Sequence, residues 1–129
     1  MAQGYERRHR IAVLGGGPGG YEAALAGAQL GAEVTLVERA GVGGAAVLTD
    51  VVPSKSLIAT AGAARAVRES GALGVQAFLP GADGKPVRPE IALNLAAVNK
   101  RLLAMAAAQS VDMQTTLEDA GVRVIHGDG

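Results

Sequence analysis

The N-terminal third of the chain alternates between short apolar runs and glycines. Ile11–Leu14 is a continuous apolar run that ends at three glycines, which is typical of a buried parallel strand. A helix is predicted over Pro18–Leu30, because proline suits the first turn and alanine has the highest helix propensity. Gly31 ends this helix, and the β-branched segment Glu33–Glu38 is a second strand. The pattern therefore predicts a strand–helix–strand unit with parallel strands.

The middle of the chain has a different pattern. A loop over Gly41–Val52 is followed by a helix that is predicted to begin near Pro53 and to end near Ser70. The next segment, Gly71–Pro89, holds four glycines and three prolines and is predicted to be mostly loop.

A long helix is predicted from about Pro89 to Ala120. Its apolar residues step by 4, 3, 4 and 3 positions, at Ile91, Leu95, Val98, Leu102 and Met105. This spacing indicates one helix face that packs on a partner helix. Gly121 ends the helix, and Val122–Ile125 is predicted as a third strand. The two long helices would thus form an antiparallel hairpin inserted between strands two and three.

Three glycines in a G-x-G-x-x-G pattern follow the first strand. Gly15 suits a tight turn, Gly17 the close approach of a pyrophosphate, and Gly20 the close packing of helix on sheet. Glu38 lies at the end of the second strand, where an acid can bind both ribose hydroxyls. Free amides at the helix N-terminus would face the phosphates. Because strand, helix and acid all accompany the glycines, this pattern predicts a dinucleotide site.

Composition narrows the possible functions. Twelve basic residues balance twelve acidic ones, so nucleic acid is not an expected partner. The chain has no cysteine, which excludes a disulfide framework and a thiolate nucleophile and fits a cytoplasmic protein. No apolar run is long enough to predict a membrane span. The two histidines lack partners at ligand spacing, so no metal site and no catalytic residue is predicted.

A second motif lies in the predicted loop and the start of the next helix. The segment Gly43–Lys55, GGAAVLTDVVPSK, resembles the redox-active segment of the pyridine nucleotide–disulfide oxidoreductases, the family of glutathione reductase and lipoamide dehydrogenase. The flanks Gly43-Gly44 and Pro53-Ser54-Lys55 keep the family spacing. Ala46 and Val51 occupy the positions where that family carries its two cysteines.

The resemblance implies FAD as the cofactor and a partial Rossmann-like FAD-binding domain as the fold, of α/β class. The crossover of about 80 residues between strands two and three is far longer than in a simple NAD site, which agrees with this. Residues 1–129 would be the N-terminal part of that domain. An NAD(P)H domain and a dimerisation domain are expected elsewhere in a full-length homodimer.

The resemblance also implies roles for individual residues. Gly43 and Gly44 would line the pyrophosphate and ribityl side, and Glu38 would bind the adenosine ribose. The main chain at Gly129 would touch the adenine. Lys55 would approach the reactive edge of the flavin, where a cation favours negative charge on the reduced ring. The other residues of the predicted cofactor site are Gly15, Gly16, Gly17, Pro18, Gly20 and Arg39.

The missing cysteines limit the reaction. Without thiols at positions 46 and 51 there is no relay to an external disulfide, so lipoamide or glutathione reduction by that route is excluded. The strings GGAAVL and VPSK are similar to a cysteine-lacking branch that acts as NAD(P)H quinone reductase in actinobacteria. That implies hydride transfer from NAD(P)H through FAD to a quinone-like acceptor.

Three alternatives remain from the sequence. The chain could belong to a dihydrolipoamide dehydrogenase-like flavoprotein that has lost its disulfide. It could be a nucleotide-binding module that catalyses nothing, or a truncated relic that holds no cofactor, because an open sheet edge is a liability.

Overall fold

The computed structural model describes residues 9–129 and has an α/β fold. Residues 1–8 of the domain predicted over residues 1–129 lie outside the described residues. Its elements, in chain order, are β1 (Arg10–Leu14), α1 (Pro18–Gln29), β2 (Glu33–Glu38), α2 (Gly44–Leu48), α3 (Val51–Glu69), a 3₁₀ turn (Ser70–Leu73), β3 (Leu79–Pro80), β4 (Pro86–Val87), α4 (Leu95–Asp119) and β5 (Arg123–His126).

Three strands form one parallel sheet in the order β1-β2-β5. Leu36, in the middle of β2, pairs with Val13 of β1 on one side and with Val124 of β5 on the other. The predicted fold class is confirmed, with the helical hairpin between the second and third parallel strands. The predicted bounds hold for β2 and differ by one residue for β1 and β5.

The core lies between β2, α1 and the C-terminal half of α4. Its fully buried side chains come from all three elements and from the loop after β2; they are Ala24, Val34, Leu36, Val42 and Leu117, with Val122 at 3% exposure. Aromatic rings are nearly absent, so this core consists of alanine and aliphatic side chains, whose burial stabilises the fold. The buried core fixes the carboxyl ends of the strands relative to α1.

The hairpin helices begin at different residues from those predicted. α3 begins at Val51, two residues before Pro53, which its first turn tolerates because the amides there have no helical partner. α4 begins at Leu95 and not near Pro89, because the Asn94 side chain accepts a hydrogen bond from the Ala97 amide at 2.9 Å and caps the helix.

The predicted face of α4 is only partly correct. Ile91 lies before the helix, and Leu95 is 67% exposed. Val98 and Met105 are half-buried, whereas Leu102 is buried. Farther along α4 the buried positions are Ala106, Ser110 and Leu117, of which Leu117 belongs to the core beside the sheet.

Two predicted loops contain regular structure. Gly41–Val52 includes α2, and Gly71–Pro89 includes most of the 3₁₀ turn and the antiparallel pair β3–β4. Both are short elements, which rest on packing and turn geometry more than on sequence periodicity. Across residues 9–129, none of the helices has the combination of length and apolar character that a membrane crossing requires.

Candidate functional site

The loop after β1 forms the floor of the candidate site. Gly15 has φ of +93°, a conformation that favours glycine, and its amide donates to the Val37 carbonyl of β2 at 2.8 Å. A Cβ atom at Gly20 would overlap the carbonyl oxygen of Gly15. The first and third glycines of the motif therefore serve the turn and the helix packing that the sequence predicts.

The middle of the same loop is open. A Cβ atom at Gly17 or at Gly19 would meet nothing within 4 Å. Gly17 precedes α1, and Pro18 is its first residue, so the first-turn amides of α1 have no acceptor within the helix. An open backbone next to unpaired amides at a helix N-terminus fits a phosphate group.

Glu38 holds this loop through backbone amides. One carboxylate oxygen, Oε2, accepts from the Gly16 amide at 2.6 Å, and Oε1 accepts from the Ala40 amide at 2.7 Å and from the Gly41 amide at 3.4 Å. The residue is 8% exposed, and a Cβ atom at Gly16 would lie 3.1 Å from the Glu38 side chain. A carboxylate has about four acceptor positions, so one remains for a further donor such as a ribose hydroxyl.

This environment shifts the ionisation of Glu38. Burial raises the pKa of the carboxyl group, but the hydrogen bonds from the Ala40, Gly16 and Gly41 amides, together with the nearby Arg39 amide, outweigh burial and hold the pKa below its ordinary value of 4.5. The charged form is thus the one that the fold favours.

Stability is accordingly expected to fall in acid. A carboxyl group whose pKa is lower in the folded state contributes stability above its unfolded pKa, and this is lost as pH falls through the lowered folded pKa. For Glu38 the loss begins below about pH 4.5. Urea unfolding at a series of pH values checks this, with Glu38→Gln as reference. The difference in unfolding free energy between the two proteins should shrink on acidification, and a constant difference would contradict the assignment.

The segment that resembles a redox-active loop packs against the glycine loop. The Gly43 amide donates to the Gly16 carbonyl at 2.7 Å, and a Cβ atom at Gly44 would lie 3.1 Å from the Gly17 Cα. Both glycines have positive φ, +97° and +56°. Contact between the two segments is therefore backbone against backbone, and a side chain at Gly44 would crowd the Gly17 backbone.

Positions 46 and 51 lie just beyond this contact. Ala46, in α2, is half-buried, and Val51, the first residue of α3, is 45% exposed. Val47 between them is buried and anchors α2. The two positions at which the similar family carries cysteines thus lie two and seven residues after Gly44, which contacts the glycine loop.

The end of the chain closes the other side of the site. The Gly127 amide donates to the Glu38 carbonyl at 3.0 Å, and the Arg39 guanidinium lies 3.5 Å from the Asp128 carboxylate. A Cβ atom at Gly129 would be 2.6 Å from Leu14 Cδ2, so the chain crosses the end of β2 towards β1. The structure thus brings Arg39 and Gly129 to the edge that holds the glycine loop.

Among the described residues, Lys55 takes part in none of the contacts that join the other predicted site residues. Since α3 begins at Val51, this lysine is in the second turn and not in the first, and it is exposed. Within residues 9–129 its ammonium group has no carboxylate within 4.0 Å. Its charge is therefore available to a ligand, but protein contacts do not fix its position.

Sequence reasoning missed the amides that bind Glu38. The amides of Ala40 and Gly41 come from a turn in which Gly41 has φ of +144°. Ser110 of α4 lies behind this turn, because a Cβ atom at Gly41 would be 2.9 Å from its hydroxyl oxygen. The only sequence signal was a glycine three residues after the acid, which is too common to be specific.

Comparison with known proteins agrees with this geometry. A family profile described as pyridine nucleotide-disulphide oxidoreductase matches residues 9–129. An NAD(P)H dehydrogenase (quinone) of Mycobacterium tuberculosis is 43% identical over 123 residues, which is 93% of this chain and 23% of that protein. A dihydrolipoyl dehydrogenase of Zymomonas mobilis is 40% identical over 96 residues, 72% of this chain and 21% of that protein.

A solved structure is also similar. The crystal structure of LpdA from Mycobacterium tuberculosis aligns with a TM-score of 0.78 at 39% identity, covering 93% of this chain and 24% of that one. The chain thus spans about a quarter of the length of the relatives that it matches. With the profile match over nearly all of its length, the chain belongs to the pyridine nucleotide-disulphide oxidoreductase family.

Proposed function

We propose that residues 1–129 are the FAD-binding segment of a flavoprotein oxidoreductase that passes a hydride from NAD(P)H through FAD to a quinone-like acceptor, without a redox disulfide. One observation carries this proposal. The glycines of the segment Gly43–Lys55 pack against the glycine loop after β1, yet the segment holds no cysteine. The relative named NAD(P)H dehydrogenase (quinone) supports the choice of acceptor.

Each part of the site has a role in this proposal. The open backbone at Gly17 and the first turn of α1 would hold the pyrophosphate, and the remaining acceptor position of Glu38 would take a ribose hydroxyl. The chain end at Gly129 would border the adenine. When bound, FAD supplies a ring that accepts a hydride and passes on two electrons.

The side chains at positions 46 and 51 exclude electron transfer through a pair of thiols. A dithiol relay needs a thiolate that attacks a disulfide, and Ala46 and Val51 offer only methyl groups. The hydride and a proton therefore end on the acceptor itself, which a quinone takes up as it becomes a hydroquinone. Lys55 supplies a positive charge that favours negative charge entering the site.

The NAD(P)H site and the dimer contacts are part of the proposal for the full-length protein. The described chain spans about a quarter of its relatives' length, and the hydride donor would bind outside it. A homodimer is proposed on the family resemblance alone.

The full-length protein is expected to reduce a soluble quinone with NADH or NADPH and to leave lipoamide unreduced. The purified protein should show flavin absorbance in the visible range. Quinone turnover should continue after alkylation with iodoacetamide, since no thiol belongs to this part of the route. Steady-state oxidation of NAD(P)H with each acceptor, monitored by absorbance, measures both activities.

The double variant Ala46→Cys/Val51→Cys is the matched comparison. It restores the two thiols at the family spacing, and thiol titration before and after reduction reports whether a disulfide forms. Quinone turnover that appears only in this variant would show that the natural protein does not use a direct route. Lipoamide turnover by the natural protein would instead favour the dihydrolipoamide dehydrogenase-like alternative.

A colourless natural protein gives a third outcome. Retention of NAD without flavin would favour a nucleotide-binding module, and retention of neither would favour a chain that holds no cofactor. Both outcomes exclude the proposed flavin chemistry.

A further inference from the structure

A cavity lies at the end of α3 that is remote from the glycine loop. It has a volume of about 280 Å³ and is bordered by the end of α3, the 3₁₀ turn and the segment before α4. Val67 is the first residue of α3 to line it, and the helix separates Val67 from Val51 by about 24 Å at the usual rise per residue. The cavity is therefore not part of the candidate cofactor site.

The walls of the cavity combine two kinds of side chain. The cavity is open to solvent: its apolar surface comes from Val67 and Val75, which are 50% and 62% exposed, and from the half-buried Ile91, and the exposed Arg68 and Arg88 bring two guanidinium groups. Its volume is near the lower end of ligand pockets, about 300–1,000 Å³. Such a cavity accommodates a ligand of about one ring.

The charge in the cavity is unbalanced. Among the described residues that line it, none is acidic, although Glu90 lies in the chain between Pro89 and Ile91, which both line it. The adjacent Glu69 carboxylate is bound by Arg65 of α3 at 2.9 Å. In the part of the chain from residue 9 onward, neither Arg68 nor Arg88 has a carboxylate within 4.0 Å.

Two unbalanced guanidinium groups at one cavity favour an anion. Arg68 and Arg88 line the same cavity, so a single anion placed there can bind to both guanidinium groups. Guanidinium groups bind carboxylate and phosphate oxygens through paired hydrogen bonds. An anion with an apolar group would satisfy the charges and cover the apolar wall together.

We propose that this cavity is a binding site for a small organic anion, a carboxylate or a phosphate ester that carries an apolar group of about one ring. The site is separate from the proposed flavin chemistry, and either proposal can fail without the other.

Calorimetric titration of the full-length protein with benzoate, phenyl phosphate, inorganic phosphate and benzyl alcohol tests this. Phenyl phosphate or benzoate is expected to bind with one site per chain, and whichever binds more tightly identifies the acid group. Inorganic phosphate and benzyl alcohol, which each supply one half of the ligand, should bind at least about tenfold more weakly. Equal binding of phenyl phosphate and inorganic phosphate would overturn the apolar part of the proposal.

The variants Arg68→Gln and Arg88→Gln are each expected to weaken binding at least about tenfold, because each removes charge-assisted hydrogen bonds. Lys100→Gln is the matched control; it removes one positive charge from an exposed position on α4, outside the cavity. The affinity of the Lys100→Gln variant for the tighter-binding probe should change less than about twofold. Arg68→Lys keeps the charge but loses the paired geometry, and an intermediate affinity is expected.

Two results would overturn the proposal. Equal weakening in all three glutamine variants would indicate general attraction by net charge and no site. Absence of binding by both benzoate and phenyl phosphate, whatever the melting temperatures of the variants, would show that the cavity is not a site for such anions.

Discussion

Replacement of Gly20 by alanine is expected to destroy the candidate nucleotide site. The added Cβ atom would overlap the Gly15 carbonyl oxygen, which is backbone and cannot rotate away. α1 would have to move off the sheet, at a cost of about 3 kcal/mol or more in unfolding free energy. In the full-length protein we expect FAD affinity to fall at least about a hundredfold. Flavin content after purification and the melting temperature measure the two effects.

Gly19→Ala is the control for this substitution. It lies next to Gly20 in the first turn of α1, and its Cβ atom would meet nothing within 4 Å. Since alanine is favoured over glycine in helices by about 1 kcal/mol, stability should be unchanged or slightly increased. Cofactor content could fall only if the methyl group lies in the phosphate position. Similar loss of stability in both variants would contradict the packing role assigned to Gly20.

Replacement of Glu38 by glutamine is expected to loosen the glycine loop and to weaken FAD binding. Glutamine has one acceptor oxygen, so its amide nitrogen would face a backbone amide that now donates to the carboxylate. A buried donor without a partner costs about 1–3 kcal/mol, and we expect a loss of this size in unfolding free energy. We expect FAD affinity to fall at least about tenfold, because both the loop and the ribose contact depend on this carboxylate. Denaturant unfolding and fluorescence titration of the flavin-free protein measure these quantities.

Glu33→Gln is the matched control. Glu33 begins the same strand that Glu38 ends, but it is exposed, and among residues 9–129 its carboxylate has a single ion pair, with Arg10 at 3.5 Å. Such pairs contribute about 0–1 kcal/mol, so little change is expected in stability and none in FAD affinity. If the two variants lost FAD to the same extent, the loss would reflect net charge and not the amide contacts of Glu38.

Much of the fold could be predicted because its signals are local. The β-branched run of Glu33–Glu38 and the proline at position 18 mark their elements directly. α2 could not be predicted in the same way, because its five residues lack a side-chain cap and are held by the burial of Val47. The prediction that α4 begins near Pro89 is wrong, because proline and asparagine both suit the start of a helix and it is the hydrogen bond to Asn94 that caps α4.

The candidate site shows the same division. The glycines at 15, 17 and 20 and the acid at 38 follow from a spacing rule. The amides that bind Glu38 depend on backbone angles at Gly41 and on the fold behind it, which no side-chain pattern encodes. The pairing of Arg68 with Arg88 across one cavity likewise depends on how the segment between α3 and α4 folds back.

The glycine contacts between the two loops also have an evolutionary consequence. Gly43 and Gly44 contact Gly16 and Gly17 through backbone atoms only, so the contact does not depend on the side chains at positions 46 and 51. Thiol-bearing or aliphatic residues can therefore exchange at positions 46 and 51 while the cradle keeps its shape. If the proposed function is correct, a lineage built on this scaffold would be expected to change its electron acceptor by a few substitutions while it keeps its cofactor site.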